Sequence, residues 1–212
     1  NEKFNESSIL ARIFEFLKVR FILPSKVEAS YIYEPELYCW KDNIKKIKMK
    51  KFDINDKSIV SLLNNIFNYS NNGYFDKRFI ILEESFFADN INNNDFKLFE
   101  KIINKIGKEN VIIKLHPRTK INRFKEYNVK VFTEPIPWEV ITMNESFDDK
   151  VLITITSSTA FTPILLYNSK CNIVSIYKLL EGYNPMFDSS NIIEYLNKAK
   201  IKFYKQMRVP NT

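Results

Sequence analysis

Glycine is scarce in this chain: Gly73, Gly107 and Gly182 are the only three among 212 residues, and no two lie close together. That excludes the glycine-rich turns, G-x-G-x-x-G or a Walker-type loop, that cradle phosphate on bare backbone. Histidine is scarcer still. His116 stands alone, which excludes His-rich zinc sites and leaves one imidazole for any acid–base chemistry. The two cysteines, Cys39 and Cys171, form no C-x-x-C, so a reduced cytoplasmic setting is the expectation. No D-x-D pair is present, and Asp148-Asp149 read as solvated loop charge, so no metal cofactor is expected. No signal-peptide pattern opens the chain. It begins NEKFNESS without an initiator methionine, which leaves open a fragment of a longer enzyme.

What is present describes a globular protein. Hydrophobic residues make up 45% and charged residues 27%, enough apolar chain for a sizeable core. The net charge of +7 clusters once, in Lys41–Lys51 (KDNIKKIKMKK). A solvated edge is the first reading of that run, peripheral contact with an anionic membrane or glycolipid surface the second, and nucleic acid the last, since no nucleic-acid motif accompanies it. Residues 151–169 carry no charge, but TITSST, Pro163 and Asn168 make them a poor membrane span. A buried strand, a hydroxyl-rich turn and a buried helix are predicted there instead.

Periodicity organises the rest. A helix is predicted over 7–18, short strands around a Pro35 turn between Val27 and Phe52, and a helix over 55–68. Strands at 78–82, 111–115, 129–132, 151–155 and 172–176 then alternate with helices at 95–106, 137–143, 159–167 and 191–200. Short apolar strands alternating with helices indicate an α/β fold with a parallel, doubly wound sheet. The expected divisions are 1–54, a linker helix and loop at 55–74, and a nucleotide-binding domain at 75–212.

Ligands of such sheets bind at the carboxyl ends of the strands, and polar residues gather at four of these ends. Ser157 and Ser158, followed by Thr159, lie where a strand meets a helix, suited to an anion or to an ordinary N-cap. His116 precedes Pro117 and is flanked by Lys114 and Arg118, cations that would depress its pKa unless a phosphate neutralised them. A protonated imidazole there could assist a leaving phosphate. Glu139, in the turn opened by Pro137, could complement a helix dipole or hold a ribose diol. Asp89, in FADNINNN, is either a turn residue or a general base, with Glu84 the competing carboxylate.

KLHPR at 114–118, P-x-E at 137–139 and the Ser157-Ser158 pair, in this order, resemble the signature elements of bacterial sialyltransferases. The nearest resemblance is to the lipooligosaccharide sialyltransferases (glycosyltransferase family 52), and YEPELY at 33–38 resembles their tract before the domain junction. Polysialyltransferases and multifunctional sialyltransferases are related groups that share the HP and SS elements. The resemblance implies a GT-B architecture, with a Rossmann-like C-terminal domain and part of an N-terminal, acceptor-side domain. It also implies a CMP-sialic acid donor, inverting and metal-independent transfer, and a galactose-terminated oligosaccharide or glycolipid as acceptor.

Carried onto this chain, the resemblance makes His116 the group that assists departure of CMP, and makes Ser157 and Ser158 its phosphate ligands. Lys114, Pro117, Arg118, Pro137 and Thr159 complete the donor site, Glu139 holds the ribose, and Asp89 deprotonates the acceptor. The family has an acidic motif ending in glycine where this chain has Ala88-Asp89-Asn90, so Glu83 and Glu84 stay in play. Rival readings are another GT-B nucleotide-sugar transferase, a polysialyltransferase, or a non-catalytic CMP-binding fragment. A chain this short could also complete its fold as a homodimer.

Overall fold

The computed structural model describes residues 28–39, 43–91, 94–180, 194–195, 197–198 and 207–208. The helix predicted over 7–18 lies outside them, as does most of the one predicted over 191–200. The chain divides into two compact units, residues 1–35 with 41–49, and residues 36–40 with 50–212.

In the first unit, β1 (Ala29–Ile32) and β2 (Lys45–Lys48) pair in parallel, with Ala29 opposite Lys45 and Ile32 opposite Lys48. The Met49 N–H extends the ladder to the Ile32 carbonyl (2.8 Å). Parallel pairing excludes a hairpin between these two strands, since parallel strands need a crossover connection of about a dozen residues or more. Pro35–Leu37 form a short 3-10 turn.

The second unit opens with helix α1 (Lys57–Ile66), capped by Asp56 Oδ1, which accepts from the backbone N–H groups of Ser58 and Ile59. The sequence reading treats this helix as a linker. It packs instead into the second unit: Asn64 and Asn144 exchange side-chain hydrogen bonds of 2.8 and 2.7 Å, and Val60 and Leu63 lie against the core.

Among the described residues six parallel strands form the sheet: β3 (Phe79–Leu82), β4 (Val111–Lys114), β5 (Lys130–Phe132), β6 (Val151–Thr154), β7 (Asn172–Ser175) and β8 (Met207–Arg208). Their spatial order is β5-β4-β3-β6-β7-β8. The chain starts in the middle with β3, winds outward to β5, then returns to β6 on the other side. This is the Rossmann order, and its switch point lies between β3 and β6.

Helix α2 (Asp95–Ile106) crosses from β3 to β4, α3 (Trp138–Asn144) from β5 to β6, and α4 (Thr162–Tyr167) from β6 to β7. Because successive strand side chains point to opposite faces, Ile80, Leu82, Ile112 and Leu152 join one core with Val140, Ile141 and Ile164. Ile81, Val111, Ile113 and Ile153 join a second core with Leu98, Phe99, Ile103 and Phe124. Both faces are covered, which is why these strands read as unbroken apolar runs. Gly107 ends α2 at φ +91°, where any Cβ would meet the Glu109 side chain.

Most element boundaries shift by a residue or two from the sequence reading, and two of the differences bear on the site. Pro137 is the N-cap of α3 rather than part of its first turn. Residues after Ser157 form a 3-10 turn, Ser158–Phe161, and the α-helix begins only at Thr162. Pro163 suits that first turn because it has no N–H to satisfy. Among the described residues no helix is long and apolar enough to cross a membrane.

Phe75 is 1% exposed and packs against Phe132, Trp138 and Phe147 with ring centroids 5.0–6.2 Å apart. Phe75→Ala is expected to destabilise the second unit by about 3–5 kcal/mol. An unchanged urea midpoint would remove this aromatic cluster from the account of the core.

Candidate active site

The switch point is shaped by two neighbouring carboxylates at the end of β3. Glu84 is buried, and its Oε1 accepts four hydrogen bonds: from Thr154 Oγ1 (2.7 Å) and from the backbone N–H groups of Ile155, Thr156 and Ser157 (3.0, 2.9 and 3.0 Å). The segment leaving β6 is thus wrapped around one carboxylate oxygen. Thr154 Oγ1 also accepts from the Ser157 N–H (3.0 Å). Backbone at a strand end needs partners when buried, and Glu84 supplies them across the topological gap.

Glu83, also buried, serves the other side. Its Oε2 accepts the His116 backbone N–H (3.0 Å), and its Oε1 accepts from Arg123 Nε and Nη2 (3.1 and 2.8 Å). Arg123 also donates to both carboxylate oxygens of Asp95, at 3.2 and 2.8 Å. Burial works against the guanidinium charge, but the hydrogen bonds to Asp95 and Glu83 outweigh it and hold the Arg123 pKa above its ordinary value. Arg123 and Asp95 are absent from the sequence reading; neither belongs to a strand-end motif, and only the fold brings them to Glu83.

Between these loops lies a crevice of about 340 Å³, lined by Glu83, Lys114, His116, Pro117, Pro137, Trp138, Glu139, Ser157 and Thr159, with Leu82, Leu115, Pro135 and Ile136. This falls at the lower end of the ~300–1,000 Å³ usual for small-molecule sites. Seven sequence-chosen residues share it. Four do not line it: Ser158 and Asp89 are exposed, Arg118 is exposed and ion-paired to Asp89 (Nη1 to Oδ1, 2.7 Å), and Glu84 lies buried behind the Ser157 loop.

His116 is half-buried. The Arg118 backbone N–H donates to its Nδ1 (3.3 Å), so the geometry assigns the ring proton of the neutral imidazole to Nε2. Burial, then the Arg118 charge, pushes the His116 pKa down, against the opposing pull of Glu83, Asp89 and Glu84. The ring is therefore neutral at pH 7 and presents a donor at Nε2. Lys114 is buried at the end of β4, donates to the Leu115 carbonyl (3.2 Å) and lies 5.3 Å from the Phe132 ring centroid. Burial lowers its pKa to about 8, although Glu83 and Glu134 pull the other way.

Ser157 Oγ accepts the Thr159 N–H (3.3 Å), an N-cap for the 3-10 turn. Trp138 Nε1 donates to the Thr159 carbonyl (3.0 Å) and ties α3 to the same turn. Glu139 is exposed on the crevice rim, and its carbonyl accepts from Thr142 and Tyr167. Chemically, the crevice offers one buried cation, one neutral imidazole donor and hydroxyls beside a carboxylate. Among the described residues no group of three His, Cys, Asp or Glu could hold a metal ion.

Glu84→Ala would leave the backbone N–H groups of Ile155 and Thr156 and the Thr154 hydroxyl without their acceptor, the Ser157 N–H keeping Thr154 Oγ1. The expected loss is several kcal/mol, at ~1–3 kcal/mol for each buried group left unpaired. Glu84→Gln, which keeps an acceptor oxygen, should recover part of it. Equal urea midpoints for Glu84→Ala and the parent would contradict a holding role for Glu84.

No curated protein matches the chain, and no solved structure does. A family model does, and it is that of the polysialyltransferases, where the sequence resemblance points first to the lipooligosaccharide enzymes. The model for alpha-2,8-polysialyltransferase (POLYST) covers residues 1–175, taking in every sequence-chosen site residue, and the chain belongs to that family of sialyltransferases.

Proposed function

We propose that this protein transfers sialic acid from CMP-sialic acid to a hydroxyl of a bacterial surface glycan, with inversion and without a metal. The observation that carries the proposal is the crevice at the switch point, where Lys114, His116, Glu139, Ser157 and Thr159 converge. The phosphate of CMP fits against the Ser157–Thr159 turn with Lys114 as countercharge, and Glu139 suits the ribose diol. Ser158, exposed beside the turn, would reach the donor only from the rim.

The acceptor oxygen would attack the anomeric carbon as the bond to the phosphate oxygen breaks, with CMP leaving on the opposite face. His116 Nε2–H would donate to that oxygen as negative charge develops. A carboxylate would take the acceptor proton. Glu84 could do so only through Oε2, because Oε1 already accepts four donors. Asp89 is exposed and would need to release Arg118 first. Asp89→Asn and Glu84→Gln, compared for turnover, decide between them.

The family name favours a terminal sialic acid, joined at its 8-hydroxyl, as acceptor. The lipooligosaccharide resemblance favours a terminal galactose. Parallel transfer assays with sialic acid-ended and galactose-ended oligosaccharides separate the two. Activity at the bacterial cytoplasmic membrane would suit either glycan, with Lys45, Lys48 and Lys50 as exposed basic residues.

Substitution, chelation and pH test the donor site. Ser157→Ala should weaken CMP binding about tenfold in calorimetry, one hydrogen bond to a charged group being worth ~1.5–3 kcal/mol. His116→Ala should lower turnover far more than donor affinity, and turnover should survive EDTA. CMP affinity should also fall as pH rises through about 8, where Lys114 loses its charge, and Lys114→Met should flatten that profile. A pH-independent affinity in the parent protein would remove Lys114 from the phosphate site.

A further inference from the structure

Behind the crevice, and not lining it, Arg123 occupies an unusual position. Its side chain is 11% exposed and spans two buried carboxylates, Glu83 and Asp95. Its guanidinium carbon also lies 4.6 Å from the Phe87 ring centroid, 5.5 Å from that of Phe96 and 5.7 Å from that of Phe124. A buried ion triad is a poor way to gain stability, because desolvating three charges costs about what their attraction returns. An apolar side chain among three phenyl rings would pack at least as well. The charge has another use.

Each partner of Arg123 leads to a different part of the site. Glu83 holds Arg123 with Oε1 and the His116 backbone N–H with Oε2. Asp95 begins α2, which anchors the arrangement to a rigid element. Phe87 lies on the loop that carries Asp89, and Asp89 reaches back to Arg118, two residues beyond His116. Without the guanidinium, Glu83 would be a buried carboxylate facing only one backbone N–H and would turn toward the crevice or take a proton. Either change releases the His116 loop.

We infer that Arg123 is a positioning residue that sets the His116 loop through Glu83 and the Asp89 loop through Phe87, and so fixes the imidazole relative to the bound phosphate. The inference rests on the sialyltransferase reading for its catalytic consequence, but not for its structural one. Displacing a catalytic group by ~1 Å costs on the order of a hundredfold in rate. Donor contacts made by Lys114, Glu139 and Ser157 would remain.

The test uses Arg123→Lys and Arg123→Met in the full chain, with two readouts. Lysine keeps the charge but lacks the fork that grips two carboxylates at once; methionine fills the space without charge. Both are expected to lower kcat about 10–100-fold while the KM for CMP-sialic acid moves less than about threefold. Amide exchange at His116 is expected to accelerate at least tenfold while Ile112 and Ile113 stay protected.

A folded Arg123→Lys protein with parental kcat and a protected His116 amide would overturn the inference. A KM rise that accounts for the whole loss would overturn it too, since that would make Arg123 a donor ligand. Should Arg123→Met unfold, Arg123→Lys decides alone. Should the parent protein neither bind CMP nor transfer, the sialyltransferase reading fails, and amide exchange still decides whether Arg123 holds the His116 loop.

Discussion

Two consecutive carboxylates at the end of β3 point to opposite sides of the switch point, and the crevice there exists because of how they are satisfied. The connections that follow the paired strands on either side of such a point leave to opposite faces of the sheet, and the backbone there needs partners outside the ladder. Glu84 gathers the β6 end, taking three successive N–H groups and a threonine hydroxyl on one oxygen. Glu83 gathers the β4 end through the His116 N–H. The Ser157 turn and the His116 loop are held apart by side chains that leave the same strand one residue apart. The alternation of side chains along β3 is thus converted into the width of a binding site.

The electrostatics follow from the same arrangement. Burying two glutamates near a half-buried histidine would favour its charged form, yet burial and Arg118 prevail and keep the ring neutral. Arg123 makes Glu83, which lines the crevice, one arm of a buried ion triad rather than a bare charge. Lys114, stripped of solvent and close to losing its proton, is the cation left at the crevice floor. An incoming phosphate would raise the proton affinity of both Lys114 and His116. The site can thus gain positive charge when an anion arrives. The overall charge of +7 has little to do with this, because the decisive charges are local.

Much of the fold was legible because both faces of the sheet are covered. Val111–Lys114 and Val151–Thr154 read as short apolar runs between polar turns, a pattern that a parallel sheet buried on both faces produces and a half-exposed sheet does not. The pairing of β1 with β2 was not legible. Alternation identifies a strand but carries no information about the direction of its partner, so short strands around a Pro35 turn left open the parallel register that the two strands adopt. The Ser158–Phe161 turn was read as α-helix because hydroxyl and apolar residues there suit either geometry, and only the hydrogen bonds distinguish them. Strand-end clusters led to Lys114, His116, Glu139 and Ser157 because side chains following parallel strands must converge. They could not lead to Arg123, which sits in an aperiodic stretch and meets Glu83 40 residues earlier in the chain. Glu84 was weighed as a base for its charge. Its holding role depends on loop backbone that no local pattern encodes.

The central claim, that a nucleotide phosphate binds beside the lone imidazole, has one direct measurement. Because His116 is the chain's single histidine, its ring protons give an unambiguous NMR signal during a titration with CMP. The account predicts a saturable shift of those signals and a titration midpoint that rises from below the ordinary ~6.5 of histidine as the phosphate binds. Ring signals and midpoint that stay unchanged at saturating CMP would contradict it.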